Sequence, residues 1–287
     1  MKLSVLLPVY KPCRSEFIAC LHSIVNQSYK NFELIIIDDG SNFVLTDNDF
    51  YLLEQLERYK LVKLIKNMGL PYALNIGIKN SSGDFIARID ADDICFPTRF
   101  EEQLIFLEHN PHIDMVGSWA QCIGDDSKVI KPFYEHKHIY LHSLFDSPMV
   151  HPSVLGKRQV FELFYNVDFI KAQDYELWTR ALMTGYRFCN IQKPLIYYRV
   201  REKGNSSYDQ KLFSELVRIS FIGKIDFLTF TQKENLLSLA NRHLKQDLIS
   251  FASLLELIYV LRSRFGLWHT TKLFLSNYIK SFSRKVF

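Results

Sequence analysis

The sequence predicts an α/β fold: a mostly parallel central sheet flanked by helices, followed by a C-terminal helical extension. Three observations carry that expectation. Apolar, β-prone runs alternate with segments whose apolar residues recur at three- and four-residue spacing, the alternation that builds a parallel sheet covered on both faces. Two of the apolar runs end in acids, Asp38-Asp39 and Asp90-Ala91-Asp92-Asp93. Beyond about residue 207 the strand signal stops and only helical spacing remains.

In chain order, residues 3–9 are apolar on both strand faces and read as a buried strand. Phe17, Leu21, Ile24 and Val25 lie on one helical face, with an end near Ser28. Residues 32–37 form a second buried strand leading into Asp38-Asp39-Gly40-Ser41. Phe50, Leu53 and Leu56 mark a helix, and residues 62–65 a short strand. Pro71 suits a helix start, with Leu74 and Ile78 in its body and Gly83 after it. Residues 84–89 are the next strand, and Pro97 precedes a helix bearing Phe100, Leu104 and Leu107. A strand is expected over 113–119. Residues 124–158, with Pro132, Pro148 and Pro152, read as irregular covering of an active site. Gln173-Asp174-Tyr175-Glu176-Leu177-Trp178 opens a helix to about Thr184, and two short strands, 186–190 and 195–200, close the unit.

The domain division expected is one unit over 1–207, in two parts of about 1–120 and about 121–207, then the helical extension 208–287. Its 287 residues suffice for one large domain with an appendage. Five cysteines, odd in number and without metal-ligand spacing, fit a reducing cytosol. The first residues turn polar too early for an exported leader, and no apolar run is long enough to span a bilayer. No Gly-x-Gly-x-x-Gly follows the first strand, so a dinucleotide redox cofactor is not expected. A Gly-x-x-x-x-Gly-Lys-Ser/Thr loop, a Gly-x-Ser-x-Gly elbow and zinc-type Cys/His spacing are all missing from the sequence. The basic residues of the tail are too sparse and too mixed with apolar side chains for a nucleic-acid surface.

Ligands of open α/β sheets sit beyond the carboxyl ends of the strands, where both acidic clusters fall. Asp90 and Asp92, two positions apart, can turn toward one ligand, and Asp93 extends the set. Such oxygen donors suit Mn²⁺ or Mg²⁺ with substrate phosphates completing the shell; helix-capping acids on a solvated turn are the alternative. Asp39 is either an acceptor for a ribose or base ring or a plain turn residue. Lys66, Asn67 and Gly69 follow the third strand and could line the same crevice. Arg88, two positions before Asp90, either neutralises the acids from behind or touches a phosphate. Asp174, at a helix start, is either a proton acceptor or a partner of the helix dipole. Trp178 is either core or a sugar platform, and His151 either structural or a donor to a phosphate or sugar.

The ordered set Ser4-Val5-Leu6-Leu7-Pro8-Val9-Tyr10, Ser23-Ile24-Val25-Asn26-Gln27-Ser28-Tyr29, Phe32 to Ser41, Asn67-Met68-Gly69, Ala73-Leu74-Asn75-x-Gly77, Gly83-Asp84-Phe85-Ile86 and Asp90-Ala91-Asp92-Asp93 resembles the family-two inverting glycosyltransferases of GT-A fold. The resemblance covers about residues 3–202, and it implies that the unit 1–207 is catalytic, with a nucleotide-sugar half over about 1–120 and an acceptor half over about 121–207. It implies that Pro8, Tyr10 and Asp39 hold the nucleotide base, usually uracil, and that Val9, Lys66, Asn67, Gly69, Asn75, Arg88, Asp90, Ala91 and Asp92 complete the nucleotide-sugar site. It implies a cation on Asp92 and Asp93, and Asp174 as the base. The family's Glu-Asp pair is Gln173-Asp174 here, one charge fewer with the base retained. His151-Pro152-Ser153 and Tyr198-Arg199 resemble elements of bacterial members that build surface polysaccharides, which puts His151, Trp178 and Arg199 on the acceptor or phosphate side.

The implied reaction moves a hexose or N-acetylhexosamine from a UDP-sugar to a saccharide or lipid-linked glycan acceptor in lipopolysaccharide, capsule or related synthesis. A metal-dependent nucleotidyltransferase is a rival, although residues 8–15 lack the glycine its phosphate loop needs. A non-catalytic nucleotide-sugar or glycan-binding protein is another. The basic, aromatic tail is expected to lie at the inner face of the cytoplasmic membrane, or else to pack on the catalytic unit or on a second copy in a homodimer.

Overall fold

A computed structural model describes residues 2–41, 43–201, 208–240 and 251–282. The first half alternates β1 (Leu3–Val9), α1 (Arg14–Val25), β2 (Phe32–Asp38), α2 (Asp47–Leu53), β3 (Tyr59–Lys63), α3 (Leu70–Asn80) and β4 (Phe85–Arg88). Then come β5 (Ile94–Cys95), α4 (Arg99–His109), β6 (Met115–Gly124), β7 (Val129–Ile130), α5 (His136–His142), a 3-10 turn (His151–Ser153), β8 (Leu155–Lys157) and α6 (Arg158–Phe161). The chain continues through α7 (Gln173–Met183) and β9 (Phe188–Val200), and the extension adds α8 (Tyr208–Gly223), α9 (Phe230–Ala240), α10 (Phe251–Phe265) and α11 (Leu267–Phe282).

The strands join one sheet in the order β3-β2-β1-β4-β8-β6-β9-β5, with β7 paired to β6. β3, β2, β1 and β4 are parallel; β8 then runs antiparallel to both β4 and β6, and β5 antiparallel to β9. Parallel order therefore holds through the first half and breaks where β8 enters. Every residue of β1 is buried, which explains its unbroken apolar run. One core cluster, with Phe17, Phe32 and Phe100, covers one face of the sheet, and another, with Trp178, Phe161 and Phe188, covers the other.

Three of the differences between expected and observed elements bear on how the sheet is built. The third strand starts earlier, at Tyr59, because it is an edge strand whose lysines face water; Ile65 lies beyond it, fully exposed. The stretch 124–158 is not mere covering: Leu155 and Gly156 of β8 are inserted between β4 and β6, and a Cβ at Gly156 would come within 2.9 Å of Asp114 O. The two closing strands are one strand, β9, whose pairing with β6 shifts register near Trp119 and hides the continuity.

The C-terminal helices pack on the body. Phe221, Leu257, Leu261 and Phe274 share a buried cluster with Leu141, Leu144 and Phe145, which belong to α5 and the turn after it. Phe145 and Phe274 meet edge to face at 5.1 Å, worth about 0.5–1.5 kcal/mol beyond the area buried. No helix among the described residues is long and apolar enough to cross a membrane.

Candidate active site

An open crevice of about 670 Å³ lies beyond the carboxyl ends of β1, β2 and β4, where neighbouring parallel strands deliver their last residues to one place. Its walls include Pro8, Val9 and Tyr10 from the end of β1, Asp39 after β2, Asn67 and Gly69 before α3, and Asp90, Ala91 and Asp92 after β4.

The first wall is built around Asp39, which is 4% exposed. Its two oxygens accept the backbone N–H groups of Met68 (2.7 Å) and Gly69 (2.9 Å), tying the β2 tip to the start of α3. Gly40 makes this possible: its φ is +67°, and a Cβ there would lie 2.2 Å from the carbonyl carbon of Lys66. The side chain of Lys66 is exposed and does not line the crevice; its backbone is the surface against which Gly40 closes. Tyr10, 47% exposed, offers a ring at the rim.

The second wall is the acidic turn, and its three aspartates have three different settings. Asp90 forms a two-pronged ion pair with Arg88, which is fully buried. Arg88 therefore neutralises the cluster from behind and does not line the crevice. Burial opposes its charge, and the Asp90 carboxylate outweighs that and raises its pKa. Asp92 pairs with Arg201 at 3.2 Å, and Arg201 also reaches Glu16 at 2.5 Å. Burial, then the neighbouring charge of Asp90, raises the Asp92 pKa. Asp93 turns inward, 1% exposed, with one oxygen accepting the Arg199 N–H at 2.7 Å and the other without a partner. Burial and then Asp90 push it up to about 8, as expected of a carboxyl kept from water among like charges.

These settings decide how a cation fits. The Asp92 carboxylate stands on the crevice with Asp90 beside it, whereas that of Asp93, expected as a second ligand, does not line it. No three His, Cys, Asp or Glu side chains among the described residues converge to hold a metal unaided. One carboxylate completed by phosphate oxygens and water is a donor set that Mg²⁺ accepts, and Mn²⁺ takes the same oxygen donors.

Asp174 opens α7 and is half-buried just off the crevice lining, to which Lys171, three residues earlier, belongs. Burial raises its pKa; the Tyr175 amide and the Ser147 hydroxyl, which donates at 3.1 Å, act the other way, with the Arg88 charge behind them. The charges of Asp90 and Asp174 both raise the pKa of Tyr165 and Tyr198, so the two carboxylates lie within electrostatic range of the same pair of phenols. Burial pushes Tyr198 up to about 12. Among the described residues three non-glycine residues have positive φ, and two flank this region: Lys11 after β1 and Ala172 at the entry to α7. Strained backbone of that kind gathers at functional sites.

Several expected ligands turn out to be framework. Asn75 uses its amide oxygen and nitrogen on the Tyr165 backbone, both at 2.8 Å, and so does not line the donor crevice. Trp178 is fully buried in the core with no surface to offer a sugar, because its position on α7 faces the sheet. His151 Nε2 meets the Tyr165 hydroxyl at 2.9 Å and its ring sits edge-on to Trp178; burial, then Arg88, holds it well below the usual histidine range. Arg199 binds the Asp92 carbonyl at 3.0 Å and Glu16 at 3.3 Å, bracing the rim. Sequence reasoning missed Lys11, Glu16, Lys171 and Arg201 on the crevice. Arg201 was within reach: it stands two positions after Arg199, the spacing that puts residues on one strand face. Glu16 had no such signal.

The comparisons with known proteins agree with this geometry. Residues 4–164 match the family described as Glycosyl transferase family 2. An uncharacterized glycosyltransferase of Methanocaldococcus jannaschii is 30% identical over 220 residues, covering 74% of this chain and 76% of its own length. The O-antigen biosynthesis glycosyltransferase WbnJ of Escherichia coli is 29% identical over 189 residues, covering 64% and 74%. Among solved structures, S. aureus TarS 1–349 superposes with TM-score 0.67 at 17% identity, over 98% of this chain and 90% of that one. The same protein in complex with UDP-GlcNAc superposes with TM-score 0.66.

Proposed function

We infer the reaction from one premise: this chain belongs to glycosyl transferase family 2. It transfers a hexose or N-acetylhexosamine from a UDP-sugar to a saccharide acceptor of surface-glycan synthesis, with inversion at the anomeric carbon. The observation that carries this reading is convergence. Asp39, Asp90 and Asp92 arrive from neighbouring parallel strands at one crevice, and Asp174 lies within electrostatic range of the same two tyrosines as Asp90. The UDP complex of S. aureus TarS and the O-antigen role in the name of WbnJ support the donor and the acceptor class.

The division of labour follows from the chemistry. Pro8, Tyr10 and Asp39 form the base end. Lys11, Lys171 and Arg201, the basic side chains on the lining, face the diphosphate. Asp92 would hold the divalent cation, Mn²⁺ or Mg²⁺, whose chemistry is to neutralise charge on the departing diphosphate. The acceptor hydroxyl attacks the anomeric carbon from the face opposite UDP. Asp174 takes the hydroxyl proton, the new carbon–oxygen bond forms, and the bond to phosphate breaks with its electron pair leaving on UDP. A single displacement turns an α-linked donor into a β-glycoside. Arg88 holds the Asp90 carboxylate in place and does not touch substrate.

The test is a panel of nucleotide sugars with Mn²⁺ or Mg²⁺, with and without saccharide acceptors, read by UDP release and by the anomeric configuration of the product. Acceptor-dependent UDP release with an inverted linkage supports the reading. Pyrophosphate release would identify a nucleotidyltransferase. Tight UDP-sugar binding without turnover across the acceptor panel would leave a binding protein.

A further inference from the structure

The free end of the C-terminal helices carries a patch that the transfer reaction does not use. The α10–α11 turn and the α8–α9 turn lie side by side, because the Arg264 guanidinium sits 4.0 Å over the ring of Phe227. Around this junction large apolar side chains stand in water: Phe230 is 80% exposed, Trp268 73%, Tyr259 63% and Leu267 59%. Arg262 stacks on Tyr259 at 3.9 Å, and Arg262, Arg264 and Lys272 are all exposed. Over residues 251–282 the one acid is Glu256, engaged by Gln232 at 2.8 Å; Asp226 is the acid of the neighbouring turn. The opposite side of the same turn is anchored. His269 stacks on His138 of α5 at 3.5 Å, and Phe265 stacks on Tyr140 at 5.5 Å. The apolar tip is therefore presented by a fixed hairpin.

We propose that this tip docks on an anionic phospholipid surface, with Trp268, Leu267 and Phe230 entering the headgroup boundary and Arg262, Arg264 and Lys272 against lipid phosphates. Interleaved aromatic and basic side chains are the composition that interface selects. Charge decides against a second copy as occupant. A two-fold dimer through this face would set its basic residues against the same residues of the partner, whereas an anionic bilayer supplies the opposite charge. The inference does not depend on the transfer reaction, and its test does not measure transfer.

The experiment uses the full chain with vesicles of phosphatidylcholine, with or without phosphatidylglycerol, read by co-sedimentation and by the fluorescence of Trp268. Binding is expected only to the anionic vesicles, weakened by salt, with a blue shift. Trp268→Ser with Phe230→Ser should lower partitioning about tenfold or more. Arg262→Gln with Lys272→Gln should abolish the preference for anionic lipid. Because all four positions are exposed, each variant should keep the parent melting temperature. Equal binding to both vesicle types, binding indifferent to these substitutions, or no binding at all overturns the proposal. So does a parent dimer in sedimentation that Trp268→Ser converts to monomer, since the face would then be covered by a second copy.

Discussion

The Ser147 hydroxyl donates to Asp174 Oδ2 at 3.1 Å across 27 residues of chain, and it is the side-chain hydrogen bond seen on this carboxylate. The segment carrying Ser147 is itself pinned, since the Tyr175 hydroxyl donates to Ser143 O and Arg218 of α8 donates to Phe145 O at 3.2 Å. As the proposed base, Asp174 must be ionised to act, and burial raises its pKa. Transfer should therefore fall as pH drops, along a limb above the ordinary aspartate range. Ser147→Ala removes a donor that favours the ionised form, so the limb should move to higher pH. Asp174→Asn should lower kcat by about 10²–10⁴ and leave UDP affinity unchanged by calorimetry; full activity in that variant would falsify the assignment.

Arg88 is the buried half of an ion pair whose other half reaches the crevice. Arg88→Met leaves Asp90 facing Asp92 and Asp93 without compensation. Because the Asp90 side chain is 33% exposed, the loss should be smaller than the roughly 3–5 kcal/mol of a fully buried pair. Urea unfolding should show that loss for Arg88→Met and a clearly smaller one for Arg88→Met combined with Asp90→Asn. Equal losses in both would mean that the pair is not what Arg88 contributes.

Three histidines resist protonation in the folded state. Burial, then Arg187, lowers His136 to about 4; burial, then His269, lowers His138; burial, then Arg88, lowers His151. In the unfolded chain each titrates near the ordinary value of about 6.5. Below that pH the unfolded chain takes up protons at these histidines that the native state refuses, so their contribution to stability falls as pH falls, by up to about 1.4 kcal/mol per pH unit for each histidine, while the raised carboxyls of Asp92, Asp93 and Asp174 contribute in the opposite sense. His136→Gln should therefore lose less melting temperature between pH 7 and pH 5, relative to the parent, by the share that His136 contributes. His136 Nδ1 accepts the Phe188 N–H at 3.2 Å, a bond that protonation would break. A variant whose profile between pH 7 and pH 5 parallels that of the parent would remove this account.

Gly40 should tolerate no side chain. Gly40→Ala adds a Cβ to a left-handed residue against the Lys66 backbone, displacing the loop whose amides bind Asp39. UDP affinity is expected to fall together with stability by about 1–3 kcal/mol. By contrast, Lys66→Ala should change neither beyond about 0.5 kcal/mol. If Lys66→Ala is the damaging change, the lysine side chain has a role its exposed position does not reveal.

Chelation tests the cation. With Asp92 as ligand, excess EDTA should suppress transfer by two orders of magnitude or more, about 3 kcal/mol of transition-state stabilisation, and Mn²⁺ or Mg²⁺ should restore it. Asp92→Asn should raise the cation concentration needed. Asp93→Asn should not, because the Asp93 carboxylate is turned from the crevice. Equal sensitivity of the two variants would return Asp93 to the ligand set.

The parallel half was legible because its strands are buried on both faces and write themselves as apolar runs; β1 and the start of β2 fall where the pattern puts them. Long-range pairings were not. β8 is three residues long, too short to show a period, yet it occupies the middle of the sheet. For the crevice, strand ends predicted Pro8, Asp39, Asp90 and Asp92, since the carboxyl end of a strand fixes location without knowledge of orientation. Orientation is what failed for Asp93, Asn75 and Trp178. A two-residue spacing cannot say which side of a turn faces water, nor that an amide is already committed to a backbone 90 residues away.

The placement of β8 between β4 and β6 has a consequence for recombination. A chimaera that takes residues 1–120 from one relative and the remainder from another would have to rebuild a foreign strand beside β4, along with the reciprocal bonds between Asn75 and Tyr165. Donor and acceptor preferences in this chain should therefore be transplanted as loops at the crevice rim rather than exchanged as halves.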